Sequence, residues 1–331
     1  MSTNDQDSVL QKQQPKNDEE DDDDDIPIID LSLEEPKIVA DLWTAFTTIG
    51  FATLVHHGVS STLIDQAFQA SQSFFALPGN VKQQYAFQSH TSNRGYIGQG
   101  MEKHDTTGCL VPVPDAKETF DIGKDDEPGF TNPWPQELDP SSFRDVLRQY
   151  FQTMDQLHLN LMRYIALALK LPDPDRLVTQ CNGQHCNLRL LHYPALTEPC
   201  VRGHVHSDFG TLTLLVQDAV GGLQVQRVDG SWMSVTPRPY AIVVNVGDML
   251  MRWTNDTVRA TPHQVIPTPQ IDSSERMNIP ERYSIAFFCN ANKDTELVCL
   301  RSCCSPQRPA RYPPINAHDY LTKRLTDTIQ K

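Results

Sequence analysis

Residues 204–218 read HVHSDFGTLTLLVQD, and they join a His-x-Asp pair to a short run with strand character at 211–216. The pair is His206 and Asp208. Side chains two residues apart in a strand project from the same face, so both could reach one metal ion. Because a lone His-x-Asp pair is common by chance, its meaning depends on the sequence around it.

Short runs with strand character recur at close spacing on both sides of this stretch. They cover 187–193, 211–216, 222–227, 232–235, 241–246, 249–253, 263–266 and 282–288. Turn-forming pairs such as Gly221-Gly222 and Asp229-Gly230 separate them. Many short strands with turn signals between them predict a sandwich, a jelly roll or a barrel.

The N-terminal half instead alternates strand-like segments with stretches whose apolar residues recur at helical spacing. The expected strands are 26–32 and 51–55, and the expected helices are 36–49, 61–77, 141–171 and, near the end of the chain, 317–329. Residues 88–140 are rich in Gly, Pro and Asp and have no sustained period. This composition predicts a long functional loop or a lid.

These patterns predict a mainly β protein with flanking helices, in which a jelly-roll core follows a helical N-terminal half. We expect a single domain over 26–331. Its parts are a helical part at 26–180, a jelly-roll core at 181–300 and a C-terminal segment and helix at 301–331.

The net charge of −14 over 331 residues is unevenly distributed. Residues 1–25 hold ten acidic and two basic side chains, and the run at 18–25 is wholly acidic, which predicts a disordered tail. The remaining charge is modest and does not favour a nucleic-acid partner. With no membrane-spanning run and no secretory start, the sequence predicts a cytoplasmic protein whose eight cysteines are reduced.

A third candidate metal ligand lies in another strand-like run, where His263 follows Asp208 by fifty-five residues. Two imidazoles and one carboxylate can occupy one face of an octahedral metal ion and leave three positions open. Non-haem Fe(II) oxygenases need this arrangement. A rival pair, His204 with His206, would give a cupin-like site, but it would leave Asp208 unexplained.

An anion site is predicted beside the metal site. Arg282 and Ser284 share one face of a strand whose other residues are largely apolar. A guanidinium is a planar fork that matches a carboxylate, and a hydroxyl adds a further donor. Burial of this pair without an anion would be costly.

Five segments, taken in order, resemble the isopenicillin N synthase-like family of Fe(II)/2-oxoglutarate dioxygenases. They are HVHSDFGTLTLLVQD, GGLQVQ, GSWMSVTPRPYAIVVNVGDMLMRWTN, TPHQV and RYSIAFF. The resemblance covers about residues 26–325, from IPIIDLS to YPPINAHDYL. The pieces NRGY, KETFDIG and RYSIAFFCNANK are most similar to fungal members such as thymine dioxygenase and natural-product oxygenases.

The resemblance implies a double-stranded β-helix and assigns roles to residues at matching positions. The implied Fe(II) ligands are His206, Asp208 and His263, and the implied 2-oxoglutarate ligands are Arg282, Ser284 and Tyr193. O2 is the other implied cosubstrate. The chain departs from the usual motif at Ser207, where threonine is common, and at Gln264, where arginine is common. Neither change removes a ligand.

The implied activity is hydroxylation or desaturation of a small organic substrate, coupled to oxidative decarboxylation of 2-oxoglutarate to succinate and CO2. Fungal specialised-metabolite biosynthesis is the expected setting. The alternatives are thymine dioxygenase-like pyrimidine oxidation, an isopenicillin N synthase-like oxidase that does not use 2-oxoglutarate, and a jelly-roll binding module. The candidate substrate contacts are Arg94, Tyr96, Phe120 and Asn187. The sequence leaves the oligomeric state open.

Overall fold

The computed structural model describes residues 25–87, 89, 93–101, 115–125, 127, 129–198, 202–271 and 277–329. The predicted disordered tail at 1–25 therefore lies outside the described residues, apart from Asp25. Among the helices that are described, none has both the length and the apolar run needed to cross a membrane.

The described residues form seven α-helices and sixteen strands. The helices are α1 Glu35–Thr48, α2 Ser61–Phe75, α3 Gly79–Lys82, α4 Arg144–Ala168, α5 Arg176–Thr179, α6 Asp248–Trp253 and α7 Ala317–Ile329. The strands are β1 Ile28–Asp30, β2 Phe51–Val55, β3 Gly95–Ile97, β4 Glu118–Gly123, β5 Asn187–Tyr193, β6 Gly203–His206, β7 Leu212–Gln217, β8 Leu223–Gln226, β9 Trp232–Ser234, β10 Ile242–Val246, β11 His263–Val265, β12 Gln270–Ile271, β13 Met277–Asn278, β14 Arg282–Phe288, β15 Glu296–Leu297 and β16 Ile315–Asn316.

Two sheets face each other and form the centre of the molecule. The larger has eight strands in the order β1-β2-β10-β7-β14-β5-β4-β3, and the smaller has four in the order β6-β11-β8-β9. Apolar side chains from both sheets, among them Phe51, Val225 and Val243, pack into one cluster between them. This two-sheet jelly roll confirms the predicted fold class.

The outer face of the large sheet is covered by helices. The α4 helix is amphipathic, and its buried stripe includes Leu147, Met154 and Leu161. These side chains join the larger core cluster with residues of α1, α2 and the sheet. The helices therefore fix one face of the sheet, while the other face remains available for a site.

The turn that follows α1 requires glycine at residue 50 for a steric reason. Gly50 has a φ of +77°, and a Cβ at this position would lie 2.2 Å from the carbonyl oxygen of Arg259. Only glycine adopts this conformation without strain in so little space. The carbonyl of Gly50 in turn accepts a hydrogen bond from the backbone N–H of Val246, which ties the turn to β10.

The strand predicted at 249–253 is wrong, because this segment is the helix α6. Met249 and Trp253 are four residues apart and both are buried, which is the spacing of one helix face. At the start of α6, the backbone N–H of Asp248 donates to the carbonyl of Asp208 over 2.7 Å. The helix therefore supports the turn that carries one of the candidate metal ligands.

Residues 88–140 contain two strands, β3 and β4, that the sequence pattern did not reveal. All six residues of β4 are buried, although the strand contains Glu118, Thr119 and Asp121. Polar residues buried on both faces remove the alternation that normally identifies a strand. Residues 102–114 of the predicted lid lie outside the described part of the chain.

Glu118 is the centre of a buried polar cluster on the helix-facing side of β4. Its carboxylate accepts hydrogen bonds from Lys82 Nζ at 2.7 Å, Tyr96 OH at 2.5 Å and His192 Nδ1 at 2.7 Å. Burial alone would raise the pKa of Glu118. The hydrogen bonds from His192, Lys82 and Tyr96 outweigh burial and lower the pKa to about 2.

A pKa below the ordinary 4.5 means that Glu118 stabilises the fold fully above about pH 4.5 and loses this contribution as the pH falls toward 2. We expect Glu118→Gln to lower the free energy of unfolding at pH 7 by about 3 kcal/mol, because it leaves Lys82 buried without its carboxylate. The difference from the wild type should narrow by about 1 kcal/mol at pH 3.5. Urea denaturation of the wild type and of Glu118→Gln at pH 7 and at pH 3.5 measures the difference in the free energy of unfolding.

The matched control is Glu281→Gln, because Glu281 contacts the other ring nitrogen of His192 but is half exposed. It should change stability by less than about 1 kcal/mol. An equal loss for Glu118→Gln at both pH values would contradict the ionised state of Glu118.

Candidate metal centre and anion site

A cavity of about 190 Å³ lies between the two sheets and is closed on one side by α7. Its walls combine apolar side chains with a small number of buried polar groups. The candidate metal ligands and the candidate anion-binding pair line the same cavity. The structure thus brings together residues that are far apart in the sequence.

His206, Asp208 and His263 converge at one place in this cavity. Strands β6 and β11 are antiparallel and put His206 opposite His263. Asp208 Oδ1 lies 3.7 Å from His206 Nε2 and 3.8 Å from His263 Nε2. The spacing predicted that His206 and Asp208 project from the same face of one strand. This is wrong in detail, because β6 ends at His206 and Asp208 projects from the turn that follows.

The backbone fixes the tautomer of each imidazole. His206 Nδ1 lies 2.7 Å from the carbonyl of His204, and His263 Nδ1 lies 3.2 Å from the carbonyl of Thr261. A carbonyl only accepts, so each Nδ1 carries the proton. The Nε2 lone pairs are therefore directed at Asp208, as metal ligation requires.

Asp208 is buried and ionised. Burial alone would raise its pKa, but the positive charge that His263 and His206 carry when their Nε2 atoms hold a proton instead of a metal ion, together with hydrogen bonds from Thr213 and Asn245, lowers it below the ordinary value. Asn245 Nδ2 donates to Oδ2 over 2.8 Å, so Oδ1 faces the imidazoles. Oδ1 of Asp208 and the Nε2 atoms of the two imidazoles form a donor set with one negative charge, which fits a divalent metal ion.

Arg282 provides a buried positive charge in the same cavity. It is 1% exposed and donates only to neutral groups: the carbonyl of Gly221, Ser284 Oγ and Gln217 Oε1. Among the described residues, no carboxylate forms an ion pair with it. A buried guanidinium with neutral partners fits the carboxylate of a ligand.

Tyr193 belongs to this anion site through the register of the sheet. It lies directly opposite Arg282 in the β5–β14 pair, and the guanidinium carbon is 4.8 Å from the centroid of its ring. Tyr193 and Ser284 are both buried and both line the cavity. The structure therefore brings together all three residues that the resemblance implied for 2-oxoglutarate.

Of the four candidate substrate contacts, only Asn187 lines the cavity. Tyr96 and Phe120 are opposite each other in the β3–β4 pair and belong to the core between the sheet and the helices. Arg94 is buried beside the cavity and pairs with Glu127 at 2.5 Å. These three were chosen from a segment whose inward face could not be read from its sequence.

The cavity also includes residues that sequence reasoning missed. Arg189 is the most prominent, and its Nε donates to Asp121 over 2.8 Å. A signal for it was present, since Arg189 shares the cavity-facing side of β5 with Asn187 and Tyr193 by alternation. Leu321 of α7 also lines the cavity, and no local pattern points to it.

His204 does not take part in the metal centre. Its Nδ1 forms a short hydrogen bond with the buried carboxylate of Asp115, which also pairs with Lys117. Within the part of the chain that the structure describes, His204 belongs to no group of converging metal ligands. The rival ligand pair with His206 is therefore not supported.

Fold and site together define the class of a jelly-roll, non-haem metal oxygenase. Comparison with known families agrees. Residues 26–137 match the family described as non-haem dioxygenase in morphine synthesis N-terminal, and residues 184–291 match the 2OG-Fe(II) oxygenase superfamily. The chain belongs to the 2OG-Fe(II) oxygenase superfamily and is a 2-oxoglutarate-dependent dioxygenase by class.

Individual relatives are similar over nearly their whole length. A 2-oxoglutarate-dependent dioxygenase, frbA, of Dothideomycetidae sp. is 35% identical over 81% of this chain and 86% of its own. A proline hydroxylase, buaE, of Petromyces alliaceus is 35% identical over 89% of this chain and 94% of its own. The crystal structure of a full-length Neurospora crassa protein in complex with alpha-KG and thymine has a TM-score of 0.83 and 34% identity, covering 93% of this chain and 98% of that one.

We expect Asn245→Ala to weaken binding of a divalent metal by about 10–100-fold, because Asp208 Oδ2 loses its hydrogen bond and Oδ1 loses its fixed direction. Anaerobic titration of the apoprotein with Mn(II) or Fe(II) measures this. Asn290→Ala is the matched control, since Asn290 also lines the cavity but donates to the carbonyl of His185. Unchanged affinity in Asn245→Ala would contradict the role of this hydrogen bond.

Proposed function

We propose that this enzyme binds Fe(II) through His206, Asp208 and His263, and 2-oxoglutarate through Arg282, Ser284 and Tyr193. We further propose that it hydroxylates or desaturates a small organic substrate in fungal specialised-metabolite biosynthesis. The observation that supports this most is the buried guanidinium of Arg282, whose partners are all neutral, in the same cavity as three converging metal ligands.

The residues present fit both groups. Two Nε2 lone pairs and Asp208 Oδ1 form the 2-His-1-carboxylate set that suits Fe(II) and leaves room for further ligands. Arg282 and Ser284 offer a planar fork and a hydroxyl to the distal carboxylate. When bound, Fe(II) would activate O2, which is the oxidant; 2-oxoglutarate would supply two electrons and leave as succinate and CO2, and the substrate C–H bond would supply the other two.

The contribution of the protein itself is orientation and the exclusion of water. Asn245 holds Asp208 with one oxygen toward the imidazoles, and the edge of the Phe51 ring packs against His263 at a centroid distance of 5.3 Å. Phe288 and Leu325 cover other parts of the cavity. A dry cavity strengthens the electrostatic interactions inside it and protects a reactive oxidant from side reactions.

The polar residues of the cavity suggest what the substrate carries. Arg189, Asn187 and Lys117 all line the cavity, and Arg189 is held in place by Asp121. Guanidinium, amide and ammonium groups are all hydrogen-bond donors. We infer a substrate that places a carbonyl or carboxylate group against these donors and presents a C–H bond to the metal.

Pyrimidine oxidation is the second candidate. The Neurospora crassa crystal structure contains thymine, and the carbonyl groups of thymine would suit the donors of Arg189 and Asn187. An amino acid or its derivative would suit the same donors through its carboxylate, and one relative is a proline hydroxylase. Incubation with thymine, with free and peptide-linked proline, and with 2-oxoglutarate, followed by product analysis, separates these substrates.

The class of cosubstrate can be tested without knowing the substrate. We expect anaerobic addition of Fe(II) and 2-oxoglutarate to the apoprotein to give the visible metal-to-ligand charge-transfer band of a chelated 2-oxo acid. His206→Ala, Asp208→Ala and His263→Ala should each lack it and lose turnover. A band of normal intensity in any of these variants would contradict the metal assignment. An absent band despite bound iron would favour the oxidase without 2-oxoglutarate.

Arg282→Ala should raise the 2-oxoglutarate concentration at half-maximal band intensity about 10–100-fold, since a charge-assisted pair is lost. Arg189→Ala is the matched control, because it removes another arginine of the same cavity. It should leave 2-oxoglutarate binding nearly unchanged and impair turnover of the substrate. Equal effects of the two substitutions on 2-oxoglutarate binding would show that Arg282 has no special role.

A further inference from the structure

A second group of potential metal ligands lies in the protein interior, outside the dioxygenase cavity. It consists of His158 on α4, Cys186 immediately before β5 and Cys289 immediately after β14. Their ligand atoms all lie within 4.8 Å of one another. All three side chains are buried, and His158 and Cys289 have no exposed surface. Because β5 and β14 pair with Asn187 opposite Phe288, the two cysteines lie at the next position of the same register.

Hydrogen bonds fix the orientation of the imidazole in this group. Thr211 Oγ1 donates its only proton to the carbonyl of Cys289 over 3.1 Å. It can therefore only accept from His158 Nε2, which lies 3.2 Å away. In the neutral ring Nε2 carries the proton, and the Nδ1 lone pair is directed at the thiol of Cys186, 3.9 Å away. A ring nitrogen held by a second group in this way is typical of metal-binding histidines. Without a metal ion, burial alone would lower the pKa of His158, but the interaction with Asp155 outweighs burial and raises this pKa well above its ordinary value, so a bound cation would displace a proton from Nδ1.

A buried carboxylate completes the group. Asp155, one helical turn before His158 on α4, is 4% exposed. Its Oδ1 lies 3.5 Å from Cys186 Sγ and 3.9 Å from His158 Nδ1. No lysine or arginine of the described residues forms an ion pair with it. The ionic partner of this carboxylate is His158, whose Nδ1 lies too far away for a normal hydrogen bond, and a metal ion bound between them would neutralise the carboxylate more closely.

We propose that His158, Cys186, Cys289 and Asp155 form a second metal site, which binds Zn²⁺. Normal zinc bond lengths in a tetrahedron put the donor atoms about 3.4–3.8 Å apart. The three separations that involve Asp155, His158 and Cys186 are 3.5, 3.9 and 3.9 Å, which is close to this range. Asp155 is outside the group whose ligand atoms all lie within 4.8 Å of one another, so Asp155 and Cys289 must approach each other when the ion binds. Binding replaces two S–H bonds by two Zn–S bonds and the Nδ1–H bond of His158 by a Zn–N bond, and the displaced protons are released to solvent.

The choice of zinc follows from the donor atoms. Thiolate and imidazole ligands in a closed site select Zn²⁺, whereas the oxygen-nitrogen set of the cavity with its open positions suits Fe(II). The two sites therefore prefer different ions. The zinc site joins α4 to the ends of β5 and β14, and Asn187 and Asn290, the residues that follow the two cysteines, line the dioxygenase cavity. Its role is to hold that wall of the cavity in place.

The test uses the full chain expressed in minimal medium supplemented with Co²⁺, so that the ion is present while the protein folds. Cobalt bound by cysteine thiolates gives an intense near-ultraviolet charge-transfer absorption, which the His206, Asp208 and His263 set cannot produce because it contains no sulfur. We expect this absorption in the wild-type protein and, undiminished, in Asp208→Ala. Protein from zinc-supplemented medium should retain about one tightly held zinc ion per chain in Asp208→Ala.

Cys289→Ser and His158→Asn should lose the absorption and the retained zinc. Cys303→Ser is the matched control, because Cys303 is also a buried free cysteine but lies outside the group. The spectrum of the wild-type protein shows whether thiolates bind the cobalt ion, even where a variant fails to fold. A folded wild-type protein without the thiolate-to-cobalt absorption, or zinc that is lost entirely in Asp208→Ala, would overturn the proposal. Neither result would affect the Fe(II) assignment, which has its own spectroscopic test.

Discussion

The cavity is organised by the need to keep the carboxylate of Asp208 ionised away from water. Burial opposes the charge, and the two imidazoles and the Asn245 amide overcome that opposition. These groups work only from fixed directions, so β6 and β11 must pair with His206 opposite His263 and β10 must bring Asn245 alongside. The helix α6 supports the same turn through the backbone of Asp208. The pairing of distant strands in the jelly roll thus places the groups that stabilise the buried Asp208 carboxylate, and the same pairing fixes the positions of the candidate metal ligands.

Buried charges elsewhere in the molecule show why Arg282 is informative. Lys82 is also buried, but the carboxylate of Glu118 neutralises it within 2.7 Å. Arg189 reaches the cavity and is matched by Asp121 in the same way. Arg282 instead donates to neutral groups. Lys82 and Arg189 are thus matched by carboxylates of the protein, and the proposed role of Arg282 is to offer its charge to a ligand.

The sequence predicted the parts of this site that depend on local spacing, and it failed where three-dimensional context decides. The strand character of residues 187–193 identified β5 to the residue, and the convergence of His206, Asp208 and His263 was expected from spacing together with the recurrence of strands. The strand β4 escaped notice because both of its faces are buried and its charges are paired, and Tyr96 and Phe120 were misplaced with it. Nothing near Leu321 indicates that α7 would close a cavity whose lining residues outside this helix lie between Phe51 and Asn290.

The alternation of β5 has an evolutionary consequence. One strand carries Tyr193 at its end beside Arg282 and, on the same face, Asn187 and Arg189 farther along the cavity wall. The opposite face of the strand belongs to the folding core. Mutations at Asn187 can therefore change the lining of the cavity without changing the opposite face of the strand, whereas mutations at Arg189 also remove the partner of the buried carboxylate of Asp121. A gene duplicate could therefore test a new cavity lining by changing the single codon of Asn187, without a compensating change elsewhere in the strand.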